Sequence, residues 1–223
     1  MADVTSPSPV HPIEAESYRR LADRCDLSRH APGPRAIIER VLHATADFSF
    51  AESLLVTSKA VEAGVTALRA GAPVVADVEM VRAGISYGAA ECFLDDARTD
   101  RGTAPTLSAR AVELAVDRHP DGAVFAIGCA PTALEALIGL VAAGAARPAL
   151  VIGVPVGLVG AAEAKQRLTD EAAICSITNR GERGGSAVAA AVVNALWQLA
   201  GLSPTRTGPG SGSGPGSAGT GGT

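Results

Sequence analysis

Short apolar runs alternate along this chain with longer segments whose apolar residues recur every three or four positions. Runs of the first kind are typical of buried strands, and segments of the second kind are typical of helices that bury one face. Strands are predicted over residues 54–57, 73–76, 91–94, 123–127, 148–154 and 173–176. Helices are predicted over residues 12–25, 34–46, 58–70, 78–84, 106–118, 131–144, 161–170 and 185–200, and a charged loop over 95–104.

This alternation predicts βαβ units and therefore a mostly parallel sheet that is covered by helices on both faces. We expect a single α/β domain with three layers, α/β/α, and a Rossmann-like sheet. The chain has 223 residues and is 47% hydrophobic, which suffices for one sizeable core. The folded unit is predicted over residues 11–201. Residues 1–10 are a predicted flexible leader, and residues 202–223, rich in Gly, Ser, Pro and Thr, are a predicted disordered tail.

Charge and cysteine content narrow the class of protein. The net charge of −4 argues against a nucleic-acid partner, which would favour a basic face. No segment has the pattern of a signal peptide or the length of a membrane span. The four cysteines lie far apart without a Cys-x-x-Cys pair, which disfavours a zinc site and a dense disulfide framework. We therefore expect a cytoplasmic protein with no membrane partner and no bound metal.

His43 is the first candidate for acid–base chemistry. On its predicted helix it lies nearly opposite an apolar arc about 140° wide, formed by Ile37, Ile38, Val41 and Leu42. It therefore faces water, a ligand or a second subunit. Glu39 and Asp47 stand four residues to either side, and two such carboxylates would favour the imidazolium form. From spacing alone, a solvated surface histidine is the commoner alternative.

Turn residues follow several predicted strands, at the sheet edge where open α/β proteins place their ligands. The run over residues 153–165 delivers a Gly- and Pro-containing loop after a buried strand. Asp77 ends another strand and Met80 follows three residues later, so both are candidates for the rim of a ligand site. The alternative for Asp77 is a helix cap that accepts backbone N–H bonds.

Two further turns have compositions suited to anions. One contains Gly128, Pro131 and Thr132, and its N–H groups could hold a carboxylate at the start of a helix; alternatively, Thr132 only caps that helix. The other turn brings two cations, bare amides and a hydroxyl to the start of the last helix. Its candidates are Arg180, Arg183, Gly184, Gly185 and Ser186. An ordinary glycine-rich turn is the alternative.

Five motifs, in order, resemble those of the precorrin-8X methylmutase family. They are RVLHATAD at 40–47, GAPVVADVEMVRAGI at 71–85, IGCAPTAL at 127–134, PVGLVGAAEAK at 155–165 and RGERGGSAVAAAVVNAL at 180–196. The resemblance covers about residues 11–200. It implies an isomerase of cobalamin biosynthesis that moves the C-11 methyl group of precorrin-8X, a tetrapyrrole, to C-12 and gives hydrogenobyrinate. It also implies a homodimer that needs no cofactor.

The same resemblance implies roles for individual residues. His43 matches the family's catalytic histidine, and Ser17 matches a position that contacts the substrate. The substrate's acetate and propionate groups would be held by the two turns and by Arg180 and Arg183.

Three positions depart from the family pattern. Leu107 stands where family members usually have Arg, Cys129 where they often have Asn, and Glu182 where many have Arg. Arg101 or Arg110 could replace the arginine that is missing at Leu107. The departures leave open a non-catalytic corrinoid-binding homologue. A nucleotide-binding protein of Rossmann type is the other alternative. Against it, no G-x-G-x-x-G follows a predicted strand with an acidic residue about twenty positions later, and no G-x-x-x-x-G-K-S/T occurs.

Overall fold

The sheet has six strands, of which five are parallel. A computed structural model describes residues 11–86 and 90–202. The strand order is β1-β6-β5-β4-β2-β3, and only β1, at one edge, runs antiparallel to its neighbour. The strands are β1 (Leu54–Leu55), β2 (Val74–Ala76), β3 (Ala90–Glu91), β4 (Val124–Ile127), β5 (Leu150–Gly153) and β6 (Ser176–Asn179).

Helices connect most of the strands and form the two outer layers. They are α1 (Pro12–Arg24), α2 (Pro32–Thr45), α3 (Phe50–Ser53), α4 (Ser58–Arg69), α5 (Glu79–Gly84), α6 (Leu94–Thr99), α7 (Leu107–Arg118), α8 (Pro131–Ala142), α9 (Ala161–Asp170) and α10 (Ser186–Leu199). Proline stands at the first turn of α1, α2 and α8, where its missing N–H has no intrahelical partner to lose.

Alternate residues of the strands enter two different cores, which establishes three layers. Val124 and Ala126 pack with α2, α4 and α10 on one face, whereas Phe125 and Ile127 pack with α7, α8 and α9 on the other. The expected three-layer α/β fold with a mostly parallel sheet is therefore confirmed. No helix within residues 11–86 and 90–202 is long and apolar enough to cross a membrane.

Several element predictions were wrong in detail. The last strand is Ser176–Asn179 rather than 173–176, and the segment predicted as a charged loop contains α6. Strand β3 covers Ala90–Glu91 rather than 91–94, and the short helix α3 was not predicted. The predicted leader, and the predicted tail beyond Leu202, lie outside the described residues.

Candidate functional site

His43 lies in the last turn of α2, where α1 meets it. Its Nδ1 atom is 2.8 Å from the Ser17 hydroxyl of α1, and its ring stacks on Tyr18 with centroids 4.9 Å apart and planes 10° apart. The histidine is half-buried. The hydrogen bond and the stacked ring together fix the imidazole plane and direct Nε2 away from Ser17.

A pocket of about 570 Å³ opens beside this ring. It lies between α1 and the end of α2, with Phe48 closing one side. The lining residues are Pro12, Ile13, Glu16, Ser17, Arg20, Leu21, Arg24, Leu42, His43, Ala46 and Phe48. Its volume falls within the usual range for small-molecule sites, about 300–1,000 Å³. The pocket therefore combines a titratable ring with room for an organic ligand.

The carboxylates expected beside His43 have other partners. Glu39 accepts a 2.7 Å hydrogen bond from Arg35, and Asp47 forms an ion pair with Arg183. Hydrogen bonds from Ser49, together with Arg183, hold the pKa of Asp47 below its ordinary value. Glu39 is thus bonded to Arg35 of the same helix and Asp47 to Arg183 from a distant segment, whereas the hydrogen-bond partner of the His43 ring is Ser17.

Asp77 lies between β2 and α5. Its side chain does not cap α5 but binds the backbone at the start of α8. Its carboxylate accepts hydrogen bonds from the N–H groups of Gly128 (3.1 Å), Cys129 (2.8 Å) and Ala130 (2.9 Å). The side chain is buried, and burial raises the pKa of Asp77 while the three N–H donors oppose that rise. The sequence suggested that this turn binds a carboxylate of the substrate. Its three N–H groups instead bind the carboxylate of Asp77 and are not available to a substrate.

The other candidate residues near Asp77 either have a structural role or are exposed to solvent. A Cβ atom on Gly128 would come within 3.0 Å of the Gly185 carbonyl, so Gly128 permits close contact with the start of α10. Pro131 is the first residue of α8, and the Thr132 hydroxyl is 2.9 Å from that of Thr106. The Met80 side chain is 72% exposed.

The turn between β6 and α10 is bonded to the loop after β5. The Gly185 N–H donates to the Val154 carbonyl at 2.9 Å, and the Gly157 N–H donates to the Glu182 carbonyl at 3.1 Å. Gly184 lies so close that a Cβ atom there would be 2.1 Å from the Val154 oxygen. These contacts make one rigid unit of the two Gly-rich segments, with Ser186 as the first residue of α10.

Two buried polar side chains, Lys165 and Asn179, bind the backbone of this turn. The Lys165 Nζ donates to the Arg183 carbonyl at 2.5 Å and to the Asn179 side chain at 3.3 Å. Asn179 in turn donates to the carbonyls of Arg183 and Arg180. Lys165 is 1% exposed, and burial lowers its pKa to about 8. Neither residue was predicted; the buried lysine lies in an otherwise helical, Ala-rich segment that gives no signal of its contacts.

This lowered pKa predicts a pH-dependent stability. The folded protein releases the Lys165 proton near pH 8, whereas the unfolded chain holds it to about 10.5. For this group, unfolding therefore takes up a proton in that window, so the contribution of Lys165 to the free energy of unfolding rises by about 1.5 kcal/mol between pH 8 and 9.5. Lys165→Met should lack this rise when urea midpoints are compared across that range. Lys59→Met, which removes the only other lysine of the chain at an exposed position, should keep it. Parallel profiles for wild type and Lys165→Met would contradict the prediction.

The predicted site residues thus fall into two groups. His43 and Ser17 meet in the pocket, whereas the others lie along the carboxyl edge of the sheet. Arg183 links the groups through Asp47 and Ser49. Arg180 instead lines a separate cavity of about 330 Å³ with Lys165 and Asn179. In residues 11–86 and 90–202, no cluster of His, Cys, Asp or Glu side chains is arranged to hold a metal ion.

Comparison with known proteins gives consistent matches over this domain. The sequence profile of a family described as precorrin-8X methylmutase matches residues 12–199. A cobalt-precorrin-8 methylmutase from Priestia megaterium is 37% identical over 84% of this chain and 87% of the relative. A precorrin-8X methylmutase from Pseudomonas aeruginosa is 43% identical over 82% of this chain and 93% of the relative. The crystal structure of a precorrin-8X methylmutase from Thermus thermophilus superposes with a TM-score of 0.77 at 35% identity, covering 84% and 95% of the two chains.

Proposed function

The chain belongs to the precorrin-8X methylmutase family, and from that membership we propose that it moves the C-11 methyl group of precorrin-8X to C-12, giving hydrogenobyrinate. As a member it is an isomerase of cobalamin biosynthesis. The residue that carries the proposed chemistry is His43, acting as proton donor and acceptor. The observation that carries the proposal is the hydrogen bond between Ser17 and His43 at the mouth of a ligand-sized pocket.

The Ser17 hydroxyl suits a histidine that changes protonation state. A hydroxyl can donate to a bare Nδ1 or accept from a protonated Nδ1. Nδ1 therefore keeps its hydrogen bond whether Nε2 has just received a proton or has just given one away. Tyr18 holds the ring plane in both states through stacking. A general acid–base residue needs this kind of support, since its reacting nitrogen must stay aligned through both proton transfers.

The reaction needs a proton but no net proton change. A methyl shift within a conjugated macrocycle can proceed as a sigmatropic rearrangement once the correct tautomer is present. In the proposal, His43 gives a proton to the ring or hydrogen-bonds it, the C-11 to methyl bond breaks as the C-12 to methyl bond forms, and the proton returns to His43. The pocket holds the ring in the conformation that favours migration.

The proposal also includes a homodimer in the cytoplasm. His43 points away from the core-facing arc of its own helix, so a second subunit could close the pocket over the substrate. All four cysteines are free thiols, which suits a reducing compartment. Sedimentation of the full chain would test the dimer: an active monomer at assay concentration would contradict it.

The experiment that tests the proposed activity is an absorption spectrum of the full-length protein incubated with precorrin-8X. Conversion to the hydrogenobyrinate spectrum is the expected result. Binding without conversion would instead identify a non-catalytic corrinoid-binding homologue, the alternative that the departures at Leu107, Cys129 and Glu182 favour. The absence of both binding and conversion would overturn the proposal.

Ser17→Ala should lower kcat by about tenfold, the size expected for losing one orienting hydrogen bond. The variant keeps His43 but leaves Nδ1 without its hydrogen-bond partner. The pH dependence of the rate should therefore shift in addition to the fall in kcat. Ser28→Ala, at an exposed position after α1, is the matched control and should retain both. An unchanged rate and profile in Ser17→Ala would show that Ser17 does not support His43.

A further inference from the structure

One end of the His43 pocket carries positive charge that the proposed proton transfer does not use. The pocket face of α1 repeats every three or four residues, through Ile13, Ser17, Leu21 and Arg24. Ser17 contacts His43, and Arg24 lies seven residues further on. Seven residues of α-helix span about 10.5 Å along the axis. Arg24 therefore stands two turns away from the proton-transfer site, on the same wall of the pocket.

The Arg24 guanidinium is held in place but is not neutralised. Its central carbon lies 4.1 Å from the centre of the Phe48 ring, which is a cation–π contact. This contact positions the guanidinium carbon over the ring and uses none of its N–H donors for a hydrogen bond. No side chain in the described part of the chain forms a hydrogen bond or ion pair with this guanidinium. The neighbouring Arg20, in contrast, donates its Nε–H to Glu16 at 2.8 Å.

Three of the arginines that were expected to bind substrate carboxylates are occupied or lie elsewhere. Arg183 is paired with Asp47. Arg110, a candidate to replace the family arginine missing at Leu107, is paired with Asp100 at 2.6 Å and Glu113 at 2.9 Å. Arg180 lines a different cavity. Two arginines line the His43 pocket. Arg20 is paired with Glu16, whereas the guanidinium of Arg24 has no acidic partner among the described residues.

We propose that Arg24, positioned by Phe48, binds a peripheral carboxylate of the tetrapyrrole while His43 acts on the ring. This inference rests on the proposed function, because it takes the substrate class from there. A guanidinium fork matches a carboxylate with two parallel N–H···O bonds, which a lysine ammonium does not reproduce. The separation of about two helical turns places the carboxylate contact at the periphery of a ligand whose ring lies against His43.

The test is the dissociation constant of hydrogenobyrinate, the coloured product, measured by visible titration. Arg24→Gln should weaken binding by about tenfold or more, and Arg24→Lys should weaken it less, because charge remains but the fork is lost. Fully methyl-esterified hydrogenobyrinate should bind wild type and Arg24→Gln alike, since it offers no carboxylate. Arg118→Gln removes a matched exposed arginine from the last turn of α7 and should bind as wild type does.

The outcomes separate this inference from the proposed function. If wild type binds and converts its substrate but Arg24→Gln binds the free acid equally well, the Arg24 site is wrong. The same conclusion follows if Arg24→Gln loses affinity equally for the acid and the ester, since that would show a packing role. If wild type neither binds nor converts the tetrapyrrole, the proposed function itself fails.

Discussion

His43→Ala is expected to lower kcat for precorrin-8X conversion by about 10²- to 10⁴-fold, the usual loss when a general acid–base residue is removed. The substrate should still bind, because His43 is only one of the many residues that line the pocket. The measurement is single-turnover conversion followed by absorption, together with the binding constant of the unconverted substrate. Bound but unconverted precorrin-8X would be the signature of a lost proton step.

Two controls sharpen this expectation. His30→Ala removes a histidine that contacts Arg29 outside the pocket, and it should leave kcat unchanged. Added imidazole should restore part of the activity of His43→Ala, because the deleted ring leaves a space that opens to solvent. Full activity in His43→Ala without added imidazole would sink the acid–base role.

Gly184→Ala is expected to give the largest loss of stability. The added Cβ atom would lie 2.1 Å from the Val154 carbonyl oxygen and 2.8 Å from that of Pro155. Both obstacles are backbone atoms, so neither can rotate aside, and the two Gly-rich segments must separate. Overpacking of this kind costs about 3 kcal/mol or more in the free energy of unfolding. For a domain of this size, that lowers the melting temperature by roughly 6–12 °C.

The matched substitution for Gly184→Ala is Gly139→Ala. Gly139 lies inside α8, and a Cβ atom there would meet nothing within 4 Å. Alanine in a helix interior is favoured over glycine by about 0.5–1 kcal/mol, so Gly139→Ala should raise the melting temperature slightly. A Gly184→Ala protein as stable as wild type would show that the two segments can move apart freely.

The sequence predicts most of the fold because apolar runs and helical periodicity mark β2, β4, β5 and the long helices. It misplaces β6 because buried positions of that strand are polar. The Thr178 hydroxyl donates to the Gly153 carbonyl at 2.5 Å, and Asn179 bonds the following turn. A prediction based on apolar runs therefore ends at residue 176 and misses the buried polar residues that follow. Helix α6 was missed because its exposed Asp- and Arg-rich face resembles a loop in sequence; Ala97 is its one buried residue.

The same reasoning explains what was predictable about the site. The position of His43 on the outer face of α2 follows from the spacing of four apolar residues along one helix. Its partner Ser17 comes from another helix, and spacing within α2 gives no sign of it. Likewise, Arg183 reaches Asp47 across 136 positions of sequence. Contacts between distant segments depend on the tertiary fold, so local periodicity cannot supply them.

The packing of α2 on α10 has a consequence for how the protein is made. The apolar arc of the helix that bears His43 is covered by the last helix of the domain, and well over a hundred residues separate the two in sequence. Contacts between such distant segments slow folding, and incomplete chains expose apolar surface. During synthesis, the part of this arc that packs on α10 stays uncovered until α10 has emerged. The helix that bears His43 therefore completes its packing only after residues 186–199 have been synthesised.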